Sequence, residues 1–81
     1  RIELLDLANG ANTITPPTGA TSVTIIPPST NTTSITFKGL SADTGYRLHN
    51  TNPSVITLFA ASVTFVLTAG AAITGMRYIW T

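Results

Sequence analysis

Ser22-Val23-Thr24-Ile25 is answered by Ser34-Ile35-Thr36-Phe37 and again by Ser62-Val63-Thr64-Phe65. In each copy a small or hydroxylated residue alternates with a bulky apolar one. A period of two sends neighbouring side chains to opposite faces of a strand, so Val23/Ile25, Ile35/Phe37 and Val63/Phe65 share one face and the Thr residues the other. β-Branched and aromatic residues suit a pleated surface that is buried on one side, as in an antiparallel sheet. The expectation is an all-β protein.

Outward from these phrases, turn signals divide the rest of the chain. Ile2–Leu7 reads as a first strand with apolar residues on both faces. Asn9-Gly10 then reads as a hairpin turn, because both central residues of a type I′ turn need positive φ, and Asn12–Thr15 as its return strand. Pro16-Pro17-Thr18-Gly19 ends that strand, since proline cannot donate to a ladder. Thr21–Ile26 stops at Pro27-Pro28, and Ser34–Lys38 follows the polar loop Ser29–Thr33. Gly39–Gly45 reads as a loop, Tyr46–His49 and Val55–Leu58 as short strands, and Ala60-Ala61 as the turn into Ser62–Thr68. The last strand is Ala72–Trp80, with Gly75 as a bulge. A weak repeat, Thr13-Ile14-Thr15-Pro16-Pro17 against Thr24-Ile25-Ile26-Pro27-Pro28, fades after Phe37 and is repeated strand chemistry rather than a solenoid. About eight short strands spaced by turns every eight to twelve residues, with no helical period, predict a small antiparallel β-sandwich or jelly-roll-like barrel.

The 81 residues make one domain, 1–81. At this size folding buries only about 60% of the unfolded surface, so the core is marginal and outside support is usual. With no cysteine, disulfides and thiolate metal sites are excluded, and one histidine, His49, argues against zinc. No metal or cofactor is expected; partner subunits are the support that remains. Only Arg1, Glu3, Asp6, Lys38, Asp43, Arg47 and Arg77 are charged, 9% of residues against a usual ~25%. The hydrophobic fraction is 43%, and 16 threonines stand where lysine and glutamate normally cover a surface. Such faces suit burial against neighbours better than life as a concentrated monomer, and a homo-oligomer is expected. A net charge of +1 gives no footprint for nucleic acid. No apolar run reaches the ~18–20 residues of a membrane span; Val55–Ala72 comes nearest and is broken by Thr and Ser. No signal peptide opens the chain, and its first residue is Arg1 rather than Met, which leaves open whether residues precede it.

Several residues invite a chemical reading. Asp43-Thr44-Gly45 matches the aspartic-protease triplet, in which two subunits each contribute one Asp. Here Ser41-Ala42 replaces the apolar lead-in, and a turn with Asp bonding nearby N–H groups and Gly45 at positive φ explains the triplet as well. His49 with Asp43 and a serine could be assembled into a triad, but no serine lies in a nucleophile elbow. Tyr46, Tyr78 and Trp80 with Asn50 and Asn52 could form an aromatic sugar platform. Alternatively one aromatic of Tyr78-Ile79-Trp80 is core and the other an interface anchor. Asn31-Thr32-Thr33 is a glycosylation triplet, meaningful only in a secreted eukaryotic protein. Arg47, Arg77 and Lys38 are too scattered for an anion site. No catalytic residue is assigned; the expected contact residues are Ile2, Leu4, Tyr46, Arg47, Arg77, Tyr78 and Trp80.

The run Ser34-Ile35-Thr36-Phe37-Lys38-Gly39, then Asp43-Thr44-Gly45-Tyr46-Arg47-Leu48-His49-Asn50-Thr51-Asn52-Pro53, resembles small Thr-rich β proteins encoded among the structural genes of tailed bacteriophages. Ala11-Asn12-Thr13-Ile14-Thr15 and the closing Arg77-Tyr78-Ile79-Trp80 share that cadence. The resemblance implies a virion protein, made in the host cytoplasm and placed on the capsid surface, of the decoration or cement type. Its partners would be the major capsid protein or other virion proteins. It implies no catalytic residues. The expectation is therefore a non-enzymatic cement protein that stabilises the shell. The alternatives are a carbohydrate- or host-surface-binding module of a tail or fibre, and a retroviral-type protease.

Overall fold

A computed structural model describes residues 1–39, 42–58 and 63–81. It contains eight strands: β1 (Ile2–Leu4), β2 (Gly10–Ile14), β3 (Ser22–Ile26), β4 (Ile35–Lys38), β5 (Tyr46–Arg47), β6 (Ser54–Thr57), β7 (Phe65–Ala69) and β8 (Arg77–Trp80). They form two four-stranded antiparallel sheets, ordered β1-β8-β3-β6 and β2-β7-β4-β5. The protein is all-β, a small sandwich. Its pairings are nested: β1 with β8, β2 with β7, β3 with β6, and β4 with β5. That is one long hairpin rolled over itself, the jelly-roll winding.

The alternation of the opening phrases places the core. Val23 and Ile25 of β3 are fully buried, as is Ile35 of β4, and Phe65, Leu67 and Ala69 do the same for β7. Phe37 packs against this cluster from the rim. Val63 departs from the pattern: it precedes β7 and is 45% exposed. Ser62 and the Ala60-Ala61 turn lie outside the described residues. From the first sheet Tyr78 and Trp80 enter the core, their rings 6.1 Å apart; Phe65–Trp80 at 6.2 Å bridges the two layers, and Phe37–Phe65 at 5.3 Å joins neighbours within the second sheet. Each contact adds about 0.5–1.5 kcal/mol beyond the burial of its area.

Two turn readings change. Asn9-Gly10 is not a hairpin, because β1 and β2 lie in different sheets. Gly10 does take positive φ, +99°, but uses it to cross between layers. Leu7, 2% exposed, is tied to Ile73 by two backbone hydrogen bonds of 2.9 and 2.8 Å, so the chain stays with the first sheet until that point. Asn12 then clasps the corner. Its Oδ1 accepts from Ala8 N at 2.9 Å, and its Nδ2 faces the carbonyls of Ala8, Gly10 and Leu67 at 2.9–3.1 Å.

The second change concerns the last strand, which starts only at Arg77 and leaves Gly75 (φ +94°) ahead of it. The register explains this. Leu4 pairs with Arg77 and Leu7 with Ile73, so two residues on one side face three on the other. The extra residue is a bulge-like offset, and the Gly75 N–H turns to Asp6 Oδ1 at 2.9 Å.

Candidate interaction surface

Strand registers show what each sheet presents outward. On the first sheet one row crosses all four strands as Ile2, Ile79, Thr24 and Val55. A second row reads Leu4, Arg77, Ile26. A third carries hydroxyls: Ser22 is opposite Thr57, and its Oγ hydrogen-bonds the Thr81 hydroxyl. Ile2 is 72% exposed, Leu4 64% and Val55 73%. The outer face of the second sheet differs. Its rows are Ala11, Thr68, Thr36, Arg47 and Thr13, Val66, Lys38. The first, the aliphatic face, thus carries five aliphatic side chains and a single cation beside Thr24 and the hydroxyl row; the second, the threonine-covered face, has three threonines with Ala11, Val66 and two cations.

The edge of the aliphatic face is finished with an inward charge. Glu3, between Ile2 and Leu4, turns to the interior side. Its Oε1 accepts from Trp80 Nε1 at 3.2 Å, and its Oε2 from Arg1 Nη2 at 3.3 Å. An inward carboxylate on a three-residue edge strand discourages strand-on-strand aggregation while leaving the flat face open.

The expected contact residues fall into three groups. Ile2, Leu4 and Arg77 share the aliphatic face. Tyr46 and Arg47 lie on β5, at the edge of the other sheet; Tyr46 is 73% exposed, and Arg47 Nη2 donates to Asn50 Oδ1 at 3.0 Å. Tyr78 and Trp80 are not surface residues. They are 0% and 4% exposed because β8 has a neighbour on either side and turns every second side chain inward. Tyr78 Oη donates to Leu5 O at 3.2 Å. Burial, and secondarily the negative charges of Glu3 and Asp6, push its phenol far above the ordinary tyrosine range. The three aromatics therefore do not form a sugar platform.

Sequence reasoning missed Ile26, Val55 and Ile79 as surface residues. The signal was there: Ile25-Ile26, Val55-Ile56 and Ile79-Trp80 are adjacent apolar pairs, and in a strand one of each pair must face out.

The candidate chemical groups are used by the fold. Gly45 has φ +74°, and a Cβ there would lie 2.7 Å from Thr36 Cγ2, which fits the turn reading of Asp43-Thr44-Gly45. Asp43 Oδ2 lies beside Gly39 at the rim of an apolar cleft of about 570 Å³ lined by Phe37, Ile56, Leu58, Val63 and Phe65. The other two carboxylates of the chain are engaged elsewhere, Glu3 with Trp80 and Asp6 with Gly75. His49 Nδ1 accepts from the backbone N–H groups of Thr51 (3.1 Å) and Asn52 (2.9 Å), which places the proton of the neutral ring on Nε2. Asn31 of the glycosylation triplet ties two loops together, its Nδ2 donating to Thr33 O at 2.9 Å and Asn50 O at 2.8 Å. Among the described residues no three His, Asp or Glu side chains gather to hold a metal. Among the same described residues no helix is long and apolar enough to cross a membrane.

No protein-family model, curated protein or solved structure matches the chain.

Proposed function

We propose that the protein is a structural component of a bacteriophage particle, a capsid decoration or cement protein that stabilises the assembled shell. One observation carries the reading: the aliphatic outer face of β1-β8-β3-β6, with Ile2, Leu4, Ile26, Val55 and Ile79 projecting from it. A concentration of outward aliphatic side chains on one face of so small a chain marks a surface that another protein covers. The low charge, the threonine-covered opposite face and the resemblance to Thr-rich phage structural proteins support the same reading.

The mechanism is mass action. A protein that binds the assembled shell and not its separated subunits shifts the equilibrium towards the shell by RT ln(1 + [L]/Kd) per site. Each copy need contribute little, since many act together. The test uses shells prepared without the protein. Added back, it should bind them to saturation and raise the temperature at which they come apart. Failure to bind, together with shells that are equally heat-resistant without it, would overturn the reading.

A further inference from the structure

We propose that the aliphatic face is first covered by a second copy of this chain, sheet against sheet, so that the working unit is a dimer. The proposal rests on reading that face as an interface and goes further by naming its occupant.

The rows of the face are arranged to fit themselves. In an isologous pair the same patch is used on both sides. A two-fold axis lying across the strands, over the middle row, sets Ile2, Ile79, Thr24 and Val55 against the same residues of the second copy, and the two Thr24 hydroxyls can hydrogen-bond each other. The axis also sets the row of Leu4, Arg77 and Ile26 against the hydroxyl row of Ser22, Thr57 and Thr81. Arg77 then meets hydroxyl acceptors, and the two guanidiniums are kept at opposite ends. An axis along the strands would instead press each Arg77 on the Ile26 of the other copy and leave a buried cation without an acceptor, which is costly.

Size agrees. A standard interface takes about 800 Å² from each partner, roughly one-sixth of the 4732 Å² that this chain exposes. The body is a slab of 31 × 28 × 17 Å, so one broad face supplies that area. Two such sheets pack about 10 Å apart with strands near −30°, as in any aligned sandwich. The dimer is then four layers deep, with the threonine-covered faces outermost and free to meet shell subunits on both sides.

Sedimentation equilibrium of the purified chain at micromolar concentration tests this, with far-UV circular dichroism to confirm folding. The wild type should have twice the 8.5 kDa chain mass. Val55→Glu, at an exposed position that the fold does not need, should keep the β spectrum and dimerise at least about tenfold more weakly. Thr13→Glu, on the opposite face, should remain dimeric. A monomeric wild type, or a Val55→Glu variant as dimeric as wild type, overturns the proposal. Shell binding by a monomeric wild type would overturn the dimer and leave the cement reading standing. A dimer that ignores shells would do the reverse.

Discussion

At the scale of single residues, the outcome turns on which member of an apolar pair faces inward. Tyr78 and Trp80 belong to the core, so Trp80→Ala should cost about 3–5 kcal/mol in chemical denaturation. Tyr46→Ala, at an exposed edge position, should stay within about 0.5 kcal/mol. Equal costs would return Trp80 to the surface. Tyr78 also sets an alkaline limit. Its phenol is held protonated in the fold but ionises near its ordinary value, about 10, once unfolded. The native state therefore binds more protons than the unfolded chain above that pH. This contribution to stability is complete below about pH 10 and falls as pH rises, by at most about 1.4 kcal/mol per pH unit. Denaturation midpoints measured across that range should show the decline, and Tyr78→Phe should flatten it. Asn31→Asp replaces two amide donors with an acceptor facing the carbonyls of Thr33 and Asn50. A loss of about 1–3 kcal/mol is expected.

At the scale of elements, the glycines separate two kinds of turn. Gly10 and Gly45 both have positive φ, but a Cβ at Gly10 meets nothing within 4 Å, whereas one at Gly45 strikes Thr36. Gly10→Ala should therefore cost only the conformational strain, about 1–2 kcal/mol, and Gly45→Ala distinctly more. A comparison of their unfolding free energies checks this, and equal costs would count against the packed turn at Gly45. Much of this level was legible in advance. Period-two phrases located β3 and β4 and, through Phe65 alone, the start of β7, and the Pro-Pro pairs ended β2 and β3 as proline must. Strand partnership was not legible. Asn9-Gly10 encodes a permitted φ, not a partner. The nested pairing depends on contacts such as Leu7 with Ile73, far apart in the chain. The sharing of one face by Ile2 and Val55 could not be read either, because it follows from β8 and β3 lying between their strands.

For the whole molecule, two sheets with unlike outer faces imply a body with a sticky side and a dry, weakly charged one. Under the proposed function the sticky side would lie against protein in the particle. Composition predicts a surface suited to being covered, since threonine has displaced charge; which sheet carries the aliphatic rows could not be read from it. The direct measurement is occupancy on shells that lack the protein, comparing wild type and Val55→Glu at equal concentration. Wild type should fill the shell, and Val55→Glu should bind at least about tenfold more weakly while remaining folded. Full occupancy by Val55→Glu would contradict the claim that this face is buried in the particle.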